Sequence, residues 1–161
     1  MQQVIFAAGC FWGVQYYFDQ IPGVVKTTVG YTGGTTNNPT YEEVCTQTTG
    51  HAEAVLVEFD EAHVTFETLV RHFFRMHDPT QLNRQGPDIG DSYRSAIFTI
   101  TDEQKVIAQQ LCAKLASSFD LPIVTQIESA GQFYQAEAYH QKFAERTGRG
   151  MCHITYKPLA A

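Results

Sequence analysis

The chain has 161 residues, a formal net charge of −6 at pH 7, 43% hydrophobic residues and only 17% charged ones. That apolar share is enough for one packed core, and the sparse charge excludes a polar, disordered chain. With an acidic balance and no block of Lys or Arg, neither nucleic acid nor an anionic membrane is expected as the main partner.

The opening run Met1–Ala8 has no positively charged segment and is too short in apolar residues for a secretory leader. No stretch approaches the length of a membrane span, and a cytoplasmic protein is expected. Val4 to Ala7 is apolar and followed by Gly9, which predicts a buried strand. From Cys10 the period becomes helical through Phe11, Val14 and Phe18, and Pro22-Gly23 ends the run. Val24 to Tyr31 reads as a strand, Thr32 to Pro39 as a Gly/Thr/Asn-rich loop and Tyr41 to Thr46 as a short helix. Ala52 to Asp60 is the clearest strand, with Glu53, Val55, Val57 and Phe59 on one face.

Thr65 is placed to cap a helix carrying Phe66, Leu69, Val70, Phe73 and Phe74. His77 to Asp91, with Pro79, Gly86, Pro87 and Gly90, reads as a long irregular loop of the kind that usually serves function. Arg94 to Ile100 is predicted as a strand, Asp102 to Ser117 as a helix, Pro122 to Glu128 as a strand and Gln135 to Arg146 as a helix. Residues 1–161 are read as a single domain, with 147–161 a mobile Gly-rich tail. The alternation of strands and helices predicts an α+β fold, a two-layer α/β sandwich of helices on a mixed sheet.

Four Cys (Cys10, Cys45, Cys112 and Cys152) in a cytoplasmic chain point to catalysis rather than a disulfide framework. No Cys-x-x-Cys pair and no His at ligand spacing argues against a zinc site. Gly9-Cys10-Phe11-Trp12-Gly13 would set a thiol at the start of a helix, where the dipole favours the thiolate, beside an aromatic wall. The same residues also fit a buried structural Cys among core aromatics. Glu53, on an apolar strand face, is either a carboxyl held neutral by desolvation, and so a general acid, or a strand-end residue reaching water.

Cys152, after Gly148 and Gly150, is either a thiol that swings to an oxidised partner or inert; Cys45 and Cys112 read as small buried hydrophobes. Tyr41 and Tyr93 each open an element beside a loop, a common place for packing residues, and Asp88 sits where Asp most often closes a turn. His51 and His140 would be the candidates for a Cys–His hydrolase or acyl transferase. A third reading is a module that binds oxidised proteins without turnover.

The ordered set Gly9-Cys10-Phe11-Trp12-Gly13, Gly30-Tyr31-Thr32-Gly33-Gly34, Tyr41-Glu42-Glu43-Val44-Cys45, Thr48-Thr49-Gly50-His51-Ala52-Glu53-Ala54-Val55, His77-Asp78-Pro79-Thr80, Arg84-Gln85-Gly86 and Tyr93-Arg94-Ser95-Ala96 resembles the A-type peptide-methionine sulfoxide reductases from residue 4 to about 152. That resemblance implies a two-layer α/β sandwich with a mixed, ferredoxin-like sheet. It implies reduction of the S epimer of methionine sulfoxide, with Cys10 as nucleophile and Glu53 as the acid that protonates the sulfoxide oxygen. Tyr41 and Tyr93 would hydrogen-bond that oxygen, Asp88 would support the site, and Phe11 and Trp12 would hold the S-methyl group. Cys152 would be the resolving thiol and thioredoxin the reductant; no metal or organic cofactor is implied, and a monomer is expected.

Two departures stand out. Where the family often has Gly-Asn-Asp-x-Gly-Thr-Gln-Tyr, this chain has Gly86-Pro87-Asp88-Ile89-Gly90-Asp91-Ser92-Tyr93, which adds a charge at Asp91. No Cys follows Cys152, so the two-step disulfide relay of some members has no second tail thiol. Cys45 falls where the family also has Cys and is kept as structural.

Overall fold

The structure, a computed structural model, describes residues 1–150 together with Ile154 and Tyr156. Strand β1 (Gln2–Ala8) is followed by helix α1 (Phe11–Asp19), strand β2 (Val24–Thr32), helix α2 (Tyr41–Cys45), strand β3 (Ala52–Phe59) and helix α3 (Phe66–Met76). Then come the short strands β4 (Arg84–Gln85) and β5 (Asp88–Ile89), strand β6 (Ser95–Thr99), helix α4 (Asp102–Leu115), strands β7 (Gln126–Ser129) and β8 (Phe133–Gln135), and helix α5 (Phe143–Thr147).

The large sheet has the order β7-β6-β1-β3-β2-β8 and is antiparallel except for the parallel β6–β7 pair. Its inner four strands, with α1 after β1 and α3 after β3, form the β-α-β-β-α-β arrangement of a split βαβ unit. The expected α+β class with a mixed, ferredoxin-like sheet is therefore what the chain adopts. No helix of the described residues is long and apolar enough to cross a membrane.

One sheet face carries Val4, Phe6, Val29, Val55, Val57 and Ile97 against Phe18, Leu69, Val70 and Phe73 from α1 and α3. Phe6 stacks between Phe18 and Phe73, at 4.8 and 5.3 Å. Burying a phenylalanine such as Phe73 contributes about 2–3 kcal/mol. The opposite face is lined mainly by small side chains such as Ala7, Ala52, Ala54 and Ala96, with Ile5 and Phe98 among them. The helices start where the chain supplies caps: Thr65 accepts from the Thr68 N–H, Thr101 from Gln104, and Thr40 with Glu43 forms a reciprocal capping box. Each such cap is worth about 1 kcal/mol.

Three expectations are corrected. Gln135 to Arg146 is not one helix but the end of β8, a 3₁₀ turn at Ala138–His140 and the single-turn α5. Extended backbone at Glu137 and Gln141 and a left-handed Lys142 (φ 58°) interrupt it. Those conformations are held by long-range bonds, since the Gln141 amide brackets Val29 (3.0 and 2.9 Å) and the Lys142 N–H donates to Gln15 Oε1 (2.7 Å). The strand predicted from Pro122 starts at Gln126, where pairing with Ala96 begins. The loop from His77 to Asp91 contains the β4–β5 hairpin and is laced by side chains: the Asp78 N–H donates to Gln85 Oε1, and Gln85 Nε2 donates back to the Asp78 carbonyl. Helix α5 ends at Thr147, with Gly148 as its left-handed C-cap.

Candidate active site

Register builds the site. Phe6 pairs with Val55 across β1–β3, and Ala8 pairs with Ser95 across β1–β6. Both pairs lie at the same end of the sheet, where β1 runs on to Cys10, Glu53 lies two residues before Val55 and Tyr93 two before Ser95. Gly9 makes the turn from β1 to Cys10. Its φ of 96° is a left-handed conformation that L side chains avoid, and a Cβ there would lie 3.0 Å from Gln85 Cβ.

Cys10 is the N-cap residue of α1 and is partly exposed. The next N–H, of Phe11, donates to Glu53 Oε1 at 3.2 Å. Glu53 is only 2% exposed, so its carboxyl lies on a buried strand face rather than at a strand end reaching water. Cys10 also borders a cavity of about 330 Å³ with Ala8, Met76, His77, Gln85, Asp88 and Ile154. Burial pushes His77 down to about 4, and its ring spans from the Phe73 carbonyl to the Ser95 hydroxyl, 2.7 Å each.

A cluster of rings adjoins Cys10. Phe11 is 1% exposed and lies 5.7 Å from Tyr31 and 6.3 Å from Tyr41, whereas Trp12 is half-buried, 6.4 Å from Tyr41 and stacked at 4.0 Å on Phe143. The Tyr41 and Tyr93 hydroxyls are pushed well above the ordinary tyrosine value, first by burial and then by the charge of Glu53. Asp88 and Cys10 add to the effect at Tyr93. Both phenols thus remain proton donors, in electrostatic reach of Glu53. The structure therefore brings together Cys10, Phe11, Trp12, Tyr41, Glu53, Asp88 and Tyr93; Cys152 lies outside the described residues. Of the described residues in the C-terminal segment that carries it, Gly150 approaches Trp12 and Phe143, and Ile154 borders the Cys10 cavity.

Cys45 is exposed rather than a buried hydrophobe, because only Val44 of the five-residue α2 turns into the core. It sits one turn after Tyr41, within hydrogen-bond reach of the phenol. Cys112 is half-buried against the core. The charge of Asp91 is set against Arg94, whose guanidinium is lowered by burial and held up by Asp91 and Glu128. Neither histidine weighed as a base for Cys10 is available. His51 Nδ1 accepts from the Gly34 N–H and its Nε2 meets the Thr36 carbonyl at 2.6 Å; His140 Nδ1 accepts from the Trp12 indole at 2.9 Å. The sequence reading missed Glu137, which accepts from the Tyr31 hydroxyl (2.8 Å) and the Tyr41 N–H (2.9 Å). Burial pushes the Glu137 carboxyl up, but these bonds outweigh it and hold it below the usual carboxylate range.

A family model described as peptide methionine sulfoxide reductase matches residues 2–161. The chain belongs to the peptide methionine sulfoxide reductase family. It is 49% identical over 156 residues to the peptide methionine sulfoxide reductase MsrA of Acidobacterium capsulatum, covering 96% of this chain and all of that one. It is 50% identical over 155 residues to the MsrA of Geobacter metallireducens, covering 95% and 96%. Among solved structures it resembles reduced Mxr1 from Saccharomyces cerevisiae (TM-score 0.91, 30% identity, 97% and 92% covered) and methionine sulfoxide reductase A of Corynebacterium diphtheriae (0.85, 39%, 99% and 81%). Mxr1 in complex with Trx2 is also similar, with a TM-score of 0.64 at 25% identity, covering 89% and 84%. Among the described residues of this family member, no group of three or more His, Cys, Asp or Glu is arranged to hold a metal ion.

Proposed function

We propose that this oxidoreductase reduces the S epimer of methionine sulfoxide, free or in proteins, through a sulfenic acid on Cys10 and a Cys10–Cys152 disulfide that thioredoxin reopens. The observation that carries the reading is Glu53, a buried carboxyl bound to the N–H next to Cys10 and electrostatically coupled to two protonated phenols.

The sulfoxide oxygen is a poor leaving group until it is protonated. Removing a carboxyl from water favours its neutral form, so Glu53 is suited to give a proton at neutral pH. With Oε1 accepting from Phe11, that proton belongs on Oε2. Tyr41 and Tyr93 donate to the oxygen as the S–O bond opens. The first turn of α1 favours negative charge at Cys10, whose sulfur attacks the sulfoxide sulfur. In net terms Cys10–SH and the sulfoxide give Cys10–SOH and the sulfide. Cys152–SH then attacks Cys10–SOH, the S–S bond forms, the S–O bond breaks and water leaves. A dithiol donor reduces the disulfide by exchange.

Two described residues of the C-terminal segment that carries Cys152 support the resolving step. Gly150 approaches Trp12, and Ile154 borders the cavity that holds Cys10. A thioredoxin reductant is supported by the likeness to Mxr1 in complex with Trx2.

Turnover of epimer-resolved sulfoxides with thioredoxin tests this reading. The S epimer should be consumed and the R epimer left. Cys10→Ser should abolish turnover, and Cys152→Ser should stop thioredoxin recycling; residual turnover by Cys10→Ser, or normal recycling by Cys152→Ser, would overturn the corresponding role.

A further inference from the structure

Two residues of one turn hold both aromatic walls of the pocket. Glu137 bridges the Tyr31 hydroxyl and the Tyr41 N–H, and three residues later His140 accepts from the Trp12 indole. The His140 tautomer follows from its partner. An indole N–H only donates, so Nδ1 must be bare and the ring's proton must sit on Nε2. That nitrogen has no hydrogen-bond partner among the described residues, and the residue is fully buried between Phe11 (5.1 Å), Tyr41 (4.3 Å) and Tyr139 (4.0 Å). Leaving a buried donor without a partner is costly, and the Trp12 bond is what the ring gains in return.

Glu137 meets a different need. Helix α2 is five residues long, too short to persist by itself, and its first N–H groups lack partners within the helix. The Thr40–Glu43 box satisfies two backbone N–H groups there, and the Glu137 carboxylate satisfies that of Tyr41 with a charge suited to the positive helix end. The turn itself is anchored outside the pocket by Gln141 on Val29 and by Lys142 Nζ on Asp19 at 2.8 Å.

We propose that Glu137 and His140 are positioning residues for the reduction step, His140 fixing Trp12 as the wall for the S-methyl group and Glu137 fixing Tyr41 at the oxygen. This rests on the sulfoxide-pocket reading given above. The two residues have separable signatures. A displaced methyl wall weakens substrate binding and raises KM. A displaced oxygen donor weakens the transition state and lowers kcat.

Trp12 is the sole tryptophan of the chain, so intrinsic emission and acrylamide quenching report its setting directly. His140→Leu removes the acceptor, whereas His140→Asn keeps one near the Nδ1 position. The Leu variant should quench more readily and show KM for a methionine S-sulfoxide raised about tenfold, with kcat little changed, the loss expected of one buried hydrogen bond. The Asn variant should recover both. Glu137→Ala should lower kcat by about ten- to a hundredfold with Trp12 quenching unchanged, and Glu137→Gln should recover most of it. Folded His140→Leu with unaltered quenching would overturn the role of His140. Altered quenching with unaltered KM would instead show that Trp12 is not a substrate wall, and would overturn the proposal through the pocket reading. Equal losses of kcat in the Glu137 Ala and Gln variants would overturn the role of Glu137.

Discussion

Replacing Glu53 with Gln removes a proton and little else. The amide has the same shape, its oxygen can keep the 3.2 Å bond from the Phe11 N–H, and no charge is left unpaired in a site only 2% exposed. Folding stability should therefore change by less than about 1 kcal/mol, the scale of one neutral hydrogen bond. The chemistry should change far more, because a positioned general acid accelerates proton transfer by about 10²–10⁴, or roughly 3–5 kcal/mol of barrier. Rapid quench of Glu53→Gln with one equivalent of S-sulfoxide, scoring methionine, isolates this step from recycling. The expected result is a release rate at least about a hundredfold below that of the parent protein at an unchanged melting temperature. Release within about threefold of the parent would refute Glu53 as the proton source and shift that role toward the two phenols.

Gly9→Ala should destabilise by about 1–3 kcal/mol in urea unfolding, because it combines a left-handed φ of 96° with a Cβ only 3.0 Å from Gln85 Cβ; an unchanged midpoint would show that the turn relaxes freely. Stability should also fall with acidification above the carboxylate range. Burial pushes His72 and His77 from 6.5 down to about 4, so the unfolded chain binds their protons first. Their contribution is complete above pH 6.5 and is lost as the pH falls toward 4, by about 3 kcal/mol for the buried His72. Melting temperatures recorded from pH 7 to 4.5 check this; a flat profile would show that neither ring is held neutral.

Much of the candidate site was legible because it is local or periodic. The alternation Glu53, Val55, Val57, Phe59 placed a carboxyl on a buried face, and the change of period at Gly9-Cys10 placed a thiol at a helix start. Thr65 marked its cap by type and position. What was hidden depends on partners far along the chain. Gln135 to Arg146 has good helix formers, yet Gln141 and Lys142 answer to Val29 and Gln15, more than a hundred residues away, and the local preference loses. His140 gave no sign of serving Trp12, 128 residues earlier, and without that bond its role was open. Cys45 misled because a Cys within a helical pattern suggests burial, while a five-residue helix turns only Val44 inward. Glu137 falls inside the helix predicted from Gln135 to Arg146, and only the pairing of β8 with β2 brings it to Tyr31 and Tyr41.

The central claim is that one sulfoxide consumes two thiols, those of Cys10 and Cys152. Thiol titration of the reduced chain before and after one equivalent of a methionine S-sulfoxide, with no added reductant, tests it most directly. The four thiols should fall to two as one methionine is released, with a peptide map joining residues 10 and 152. Methionine release with four thiols retained, or a disulfide joining Cys10 to Cys45 or Cys112, would contradict it.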